Sequence, residues 1–117
     1  MMVASQSLES PVAASKTSSE SSINVDYHSL KKAALVLRAL NHKLRQQLLK
    51  LIEEEKKITV TEIYVRLRLE QSVASQHLAI LRKAGIVNTE RDGKFIFYTV
   101  NYKRIDEISQ FVKELVG

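Results

Sequence analysis

The sequence predicts a mainly α-helical domain of five helices with one small two-stranded β-hairpin, on three observations. Four segments between residues 26 and 85 carry apolar residues at helical spacing, each bounded by a capping or terminating residue. Two runs rich in β-branched and aromatic residues, Val87 to Arg91 and Lys94 to Val100, flank an Asp-Gly pair, the strongest short-range hairpin signal. A last apolar-periodic stretch, Lys103 to Val116, closes the chain.

The elements follow in order. Residues 1–24 form a serine-rich segment: the first 22 residues hold eight serines, the one proline, Pro11, and only three charges, Glu9, Lys16 and Glu20. So little apolar surface does not offset the entropy of ordering, so a disordered tail is expected there, with a single folded domain over residues 25–117. Asp26 then caps a helix with Leu30, Ala33, Ala34, Leu37 and Leu40 on one stripe. Leu35 and Val36 widen that stripe until it needs burial on two sides, by its own core and by a partner. Asn41 is the expected cap of a second helix bearing Leu44, Leu48, Leu51 and Ile52, which ends in the acidic run Glu53 to Glu55 followed by Lys56 and Lys57. That run reads as a solvated face and turn.

Thr59 and Glu62 have the spacing of a capping box, which starts a short third helix reaching about Leu67, with Arg68 and Leu69 as the turn. A fourth helix runs from about Gln71 to Ala84 and stops at Gly85, a residue suited to a left-handed terminus. Its core stripe is Ala74, Leu78 and Leu81, and its opposite face, Ser72, Ser75, Gln76, Ala79, Arg82 and Lys83, is polar. The final helix carries Ile105, Ile108, Phe111, Val112, Leu115 and Val116, again too apolar for one buried face.

Composition narrows the function. The chain has 117 residues, a net charge of +5 and no cysteine, which removes disulfides, thiolate metal sites and thiol redox chemistry together. No run approaches the length of a membrane span and no secretory leader pattern opens the chain, so a soluble cytoplasmic protein is expected. The charge is localised: residues 66–104 carry eight basic against three acidic side chains, while residues 105–117 sum to −2. With no phosphate-cradling glycine loop, no thiol and no histidine spaced beside a nucleophile, catalytic residues, cofactors and metal ligands are not expected.

Two short helices joined by a tight turn, followed at once by a basic hairpin, form a helix-turn-helix with a wing, an order suited to double-stranded DNA. A helix fits the major groove, with residues near its N-terminus reaching base edges. Gln71, Ser72, Ser75 and Gln76 occupy those positions, and Gln76 is first choice because its amide pairs in bidentate fashion with adenine. Arg82 and Lys83, further along, are assigned to phosphates, as are Arg91 and Lys94 of the wing. Asp92 at the wing tip is unfavourable toward phosphate unless the turn directs it away. His77 could be a packing residue at the core edge, a DNA contact to base or backbone, or a pH sensor, and the packing role is preferred. The run Phe95, Phe97, Tyr98 is read as hairpin packing in preference to base stacking.

These residues carry a family resemblance. The stretch Leu69 to Val87, with Ser-x-His-Leu at Ser75 to Leu78 and Leu-Arg-x-Ala-Gly at Leu81 to Gly85, together with Gly-Lys-x-x-x-Tyr at Gly93 to Tyr98, resembles the ArsR/SmtB family of winged-helix transcriptional repressors. The resemblance implies a homodimer joined through its first and last helices, bound to an imperfect palindromic operator and released by an effector. It agrees with the double-sided apolarity of those helices, and Leu30, Leu35, Val36, Ile108, Phe111, Val112 and Leu115 are the expected dimer-interface residues. The family's paired metal-binding cysteines match Thr59 and Thr61, and its second metal site on the last helix matches Tyr102 and Arg104, so neither sensor is retained and the effector is unspecified. The competing function is a winged-helix scaffold whose basic face meets an acidic protein; steep salt dependence with a preferred operator separates DNA regulation from it.

Overall fold

The computed structural model describes residues 22–117, so all but the last three residues of the serine-rich segment lie outside the described residues. The element order is α1 Tyr27–Leu40, α2 Lys43–Glu55, β1 Ile58–Thr59, α3 Val60–Arg66, α4 Gln71–Lys83, β2 Val87–Asp92, β3 Phe95–Val100 and α5 Tyr102–Val116. The chain divides between Leu30 and Lys31 into two units.

In the first, Asp26 starts α1. Its Oδ1 accepts from the amides of His28 at 3.1 Å and Ser29 at 3.3 Å, and its Oδ2 accepts from the Ser29 hydroxyl at 2.7 Å. These bonds, the Ser29 hydroxyl foremost, hold the Asp26 carboxyl below the usual carboxylate range.

In the second, the core forms where the inward stripes of the helices meet the sheet. Leu48 and Ile52 of α2, Ile58 of β1, Ile63 of α3, Leu78 and Leu81 of α4, and Ile86 and Val87 at the start of the wing are all fully buried. Each truncation to alanine at such a site costs about 2–5 kcal/mol. Thr59 caps α3 through the expected box: its hydroxyl accepts from the Glu62 amide at 3.2 Å while its own amide donates to Glu62 Oε1 at 3.3 Å. The end of α4 is equally specified. Gly85, at φ 77°, donates to the Arg82 carbonyl and Ile86 to the Leu81 carbonyl, the paired bonds of a Schellman terminus. Asn101 caps α5 by accepting from the Arg104 amide at 3.3 Å, and its Nδ2 donates to the Gly85 carbonyl at 2.8 Å, tying the start of α5 to the end of α4.

Four details differ from the sequence expectation. The N-cap of α2 is His42, not Asn41: the Asn41 amide still donates to the Leu37 carbonyl, so the two-residue connection leaves Asn41 finishing α1. The sheet has three strands in the order β1-β3-β2, because Ile58 and Thr59 pair antiparallel with Tyr98 and Phe97. The hairpin turn is Gly93-Lys94, with Asp92 paired to Phe95; Gly93 at φ 65° in the first central position matches a type II′ turn. Finally, Ile108, expected at a dimer contact, is only 8% exposed because it faces this chain's own core cluster. Val36 is half-buried against the same cluster, whereas Leu35, Phe111, Val112 and Leu115 remain exposed. Leu30, in the first unit, is also exposed.

Candidate nucleic-acid interface

The geometry of α4 follows from its anchoring. Ala74, Leu78 and Leu81 have no exposed surface, which fixes the helix by one face and turns Gln71, Ser72, Ser75 and Gln76 to solvent. The turn that delivers α4 is held by backbone bonds, Leu67 to Ile63, Arg68 to Val65 and Leu69 to Tyr64, with Arg68 at φ 55°. None of the four outward side chains makes a side-chain hydrogen bond within the described residues, so their donors and acceptors are free to meet an external partner. The helix entrance is equally open. Glu70 is the N-cap with extended backbone and no capping bond, and the first turn holds no acid, so the first amides and the positive dipole end face outward.

Arg82 and Lys83 are exposed in the last turn of α4. The outer half of the wing, residues 88–96, is exposed throughout and places Arg91 and Lys94 near its tip. The pairing also resolves the orientation of Asp92. Cross-strand partners share a face, so Arg91 lies with Ile96 on one face of the ribbon, and Asp92 lies with Phe95 on the other. Phe97, on the same face as Asp92, carries the Lys57 ammonium 4.8 Å from its ring centre, and Lys57 also pairs with Glu90 at 3.7 Å. Phe95 and Phe97 have ring centres 6.4 Å apart and Tyr98 packs on the core, so most of this aromatic run is engaged within the hairpin.

His77 points the other way from the polar face. It is half-buried, with Nδ1 3.0 Å from Arg45 Nη1 and its ring centre 4.9 Å from that of His42. Burial first, then the neighbouring His42 and Arg45, push its imidazole below the ordinary value. The neutral ring accepts from the guanidinium, a role within the fold that agrees with the preferred packing reading of His77 rather than with a DNA-backbone contact. Arg45 was not legible as a site residue: it is 7% exposed, and no carboxylate pairs with it among the described residues. Its Nε donates to the Ala39 carbonyl at 2.6 Å and its Nη2 to the Arg38 carbonyl at 3.1 Å, so its charge rests on the negative end of α1. A lone arginine beside Leu44 in an apolar stripe, one helical turn past a helix end, is the signal that could have found it.

Thr59, at the position matching a family cysteine, is committed to capping α3, and Thr61 is exposed. Among the described residues no three His, Cys, Asp or Glu side chains converge as a metal site, and no helix is long and apolar enough to cross a membrane.

Comparison with known proteins places this arrangement. Residues 42–89, from the N-cap of α2 into the wing, match the model described as bacterial regulatory protein, arsR family. The chain is 34% identical over 84 residues to the transcriptional activator HlyU of Vibrio cholerae, covering 72% of this chain and 77% of that protein. It is 38% identical to an uncharacterised HTH-type transcriptional regulator of Methanocaldococcus jannaschii, covering 72% of this chain and 94% of that one. Among solved structures, the transcriptional repressor PagR of Bacillus anthracis superposes with a TM-score of 0.59 at 30% identity, over 77% of this chain and 99% of PagR. By their descriptions these relatives are transcriptional regulators, the M. jannaschii protein of the helix-turn-helix type. The chain therefore belongs to the arsR family of bacterial regulatory proteins and is a transcriptional regulator with a DNA-binding winged helix.

Proposed function

We propose that the protein is a homodimeric repressor that binds an imperfect palindrome and blocks promoter access. The observation that carries the reading is the outward face of α4, where Gln71, Ser72, Ser75 and Gln76 stand exposed and without internal hydrogen bonds on a helix anchored by its opposite side. Gln76 reads a base edge, its neighbours bond to bases and sugar-phosphate, and Arg82, Lys83, Arg91 and Lys94 hold the backbone. Dimerisation is supported by apolar surface left open on single elements. On α5, Phe111, Val112 and Leu115 are 44%, 40% and 69% exposed, and on α1 Leu30 and Leu35 are both 53% exposed. A water-facing row of that kind on a C-terminal helix is covered in a stable assembly.

The zero cysteine count separates the signal from thiolate-bound metals and persulfide chemistry. The test is a footprint on operator DNA selected from genomic fragments, paired with sedimentation of the free protein. Two protected half-sites about one DNA turn apart, roughly 34 Å, and a dimer at micromolar concentration are expected. A single half-site, a monomer, or equal affinity for every duplex at physiological salt would reject the reading, the last in favour of a protein-binding scaffold.

A further inference from the structure

We infer that Arg45 and His77 position the DNA-facing helix through a contact that one proton breaks, so that the chain lets go of operator DNA as the pH falls. The effect on DNA rests on the reading of the outward face of α4 as the operator surface, while the contact stands on its own geometry. His77 directly follows Gln76 on α4 but is half-buried, with Nδ1 3.0 Å from Nη1 of Arg45. A guanidinium only donates, so this bond exists only while Nδ1 keeps its lone pair, with the ring neutral and its proton on Nε2. A proton taken from solvent at Nδ1 leaves two donors and two positive charges facing each other.

Arg45 has no room to yield. It is buried, and its Nε and Nη2 are committed to the Ala39 and Arg38 carbonyls, so swinging away would orphan a buried acceptor. His42, the N-cap of α2, stands against the same ring with centres 4.9 Å apart and is itself a base. No acid offers relief. Arg45 and His42 are the charged or titratable groups that act on the ring among the described residues, and the residues one turn away on its own helix, Val73, Ala74, Ile80 and Leu81, are uncharged. Burial and these two neighbours already disfavour the imidazolium. Once formed it leaves its seat, and because Arg45 is fixed to the end of α1, the displacement falls on α4, where Ser75 and Gln76 immediately precede the ring. The direction is diagnostic: a histidine beside phosphates is favoured in its charged form and strengthens DNA binding in acid, whereas His77, on the inward side, weakens it.

The test reads the ratio of operator Kd at pH 5.5 to that at pH 7.5 within each protein, at fixed ionic strength, on a duplex selected from genomic fragments. Circular dichroism at both pH values checks that the chain is folded. One linked proton raises the wild-type Kd by about three- to tenfold over this range, in which carboxylates stay ionised. His77→Gln, whose amide oxygen still accepts from Arg45, should bring the ratio close to one. His42→Gln should keep the rise and start it at a higher pH, since it removes one group that disfavours the charged ring. In the free wild-type chain, NMR should show the backbone amides of Ser75 and Gln76 shifting with the same midpoint as the His77 ring. A flat or opposite wild-type ratio, an equal rise in His77→Gln, a rise lost in His42→Gln, or α4 amides that ignore the titration of the ring would each overturn the proposal. Failure to select any duplex at pH 7.5 rejects the regulator reading instead, and the NMR titration still decides whether the contact is proton-sensitive.

Discussion

Replacing Arg45 with methionine removes a buried charge and keeps the apolar stem, so it isolates what the guanidinium does. In the native chain that group supplies the donor for the Ala39 carbonyl at 2.6 Å and the Arg38 carbonyl at 3.1 Å, both at the end of α1, and donates to His77 at 3.0 Å. Ala39 is 3% exposed, so its carbonyl loses its donor without gaining water, a cost of about 1–3 kcal/mol. The Arg38 carbonyl and His77 are only partly buried and recover water, adding under about 1 kcal/mol together. Relief of the buried charge offsets part of this. The expected net loss is about 2–3 kcal/mol, which lowers the thermal midpoint by roughly 10–20 °C for a domain of this size. Urea titration followed by circular dichroism, at fixed protein concentration so that assembly does not shift the midpoint, measures it. Arg45→Lys, which retains the charge but only one compact donor group, should recover part of the loss. A change under about 0.5 kcal/mol for Arg45→Met, with an unaltered denaturant slope, would refute the assignment of the α1 carbonyls to this side chain.

Three further perturbations test neighbouring parts of the argument. Because the folded state holds the His77 imidazole below its ordinary value, the unfolded chain binds the extra proton; stability is full above about pH 6.5 and falls as the pH drops from there toward the folded-state value. Urea midpoints at pH 7.5 and 5.5 should show that fall in the wild type and a flatter dependence in His77→Gln, and equal slopes would remove His77 from the groups responsible. Gln76→Ala should lose about 1–3 kcal/mol of discrimination at one base position, whereas Lys94→Ala should weaken all sequences alike and reduce the salt slope by about one; a uniform loss in both would displace Gln76 from base readout. Gly85→Ala should cost about 1–2 kcal/mol, since a left-handed backbone at φ 77° and a displaced Arg104 side chain are both required, and an unchanged urea midpoint would contradict the strain argument.

What was legible in the sequence was local. The Asp26 cap, the box of Thr59 and Glu62, the stripe of Ala74, Leu78 and Leu81, and the left-handed Gly85 each depend on residues within a turn or two, and each appears as expected. The misplacements share a different cause. Ile58 and Thr59 are a strand only because Tyr98 and Phe97 pair with them across the fold, and two residues carry no alternation of their own. The turn register depends on whether Asp92 or Phe95 closes the ladder, a choice made by the pairing of the whole ribbon rather than by the Asp-Gly pair. Ile108 shares an apolar pattern with Phe111 and Val112, and periodicity alone does not divide such a helix between its own core and a second copy.

The outward site was legible for the same reason that Arg45 was not. Polar residues opposite a core stripe are assigned to solvent by helical geometry, so Gln71, Ser72, Ser75 and Gln76 follow from the pattern without any knowledge of their partners. A buried cation obeys the opposite logic, because its burial is tolerable only through groups that the fold brings to it. Here the compensation is the negative end of α1, delivered by a connection so short that Asn41 still belongs to the first helix. The third donor direction then falls on His77, on the inward side of α4. Arg45 thereby joins the end of α1, the first turn of α2 and the DNA-facing helix through one planar group, with His42, the N-cap of α2, against the same imidazole. A basic chain thus divides its cations by the acceptor available to them: those on the last turn of α4 and at the wing tip stay in water, where phosphates can reach them, and the one withdrawn into the fold is neutralised by peptide dipoles instead of an acid.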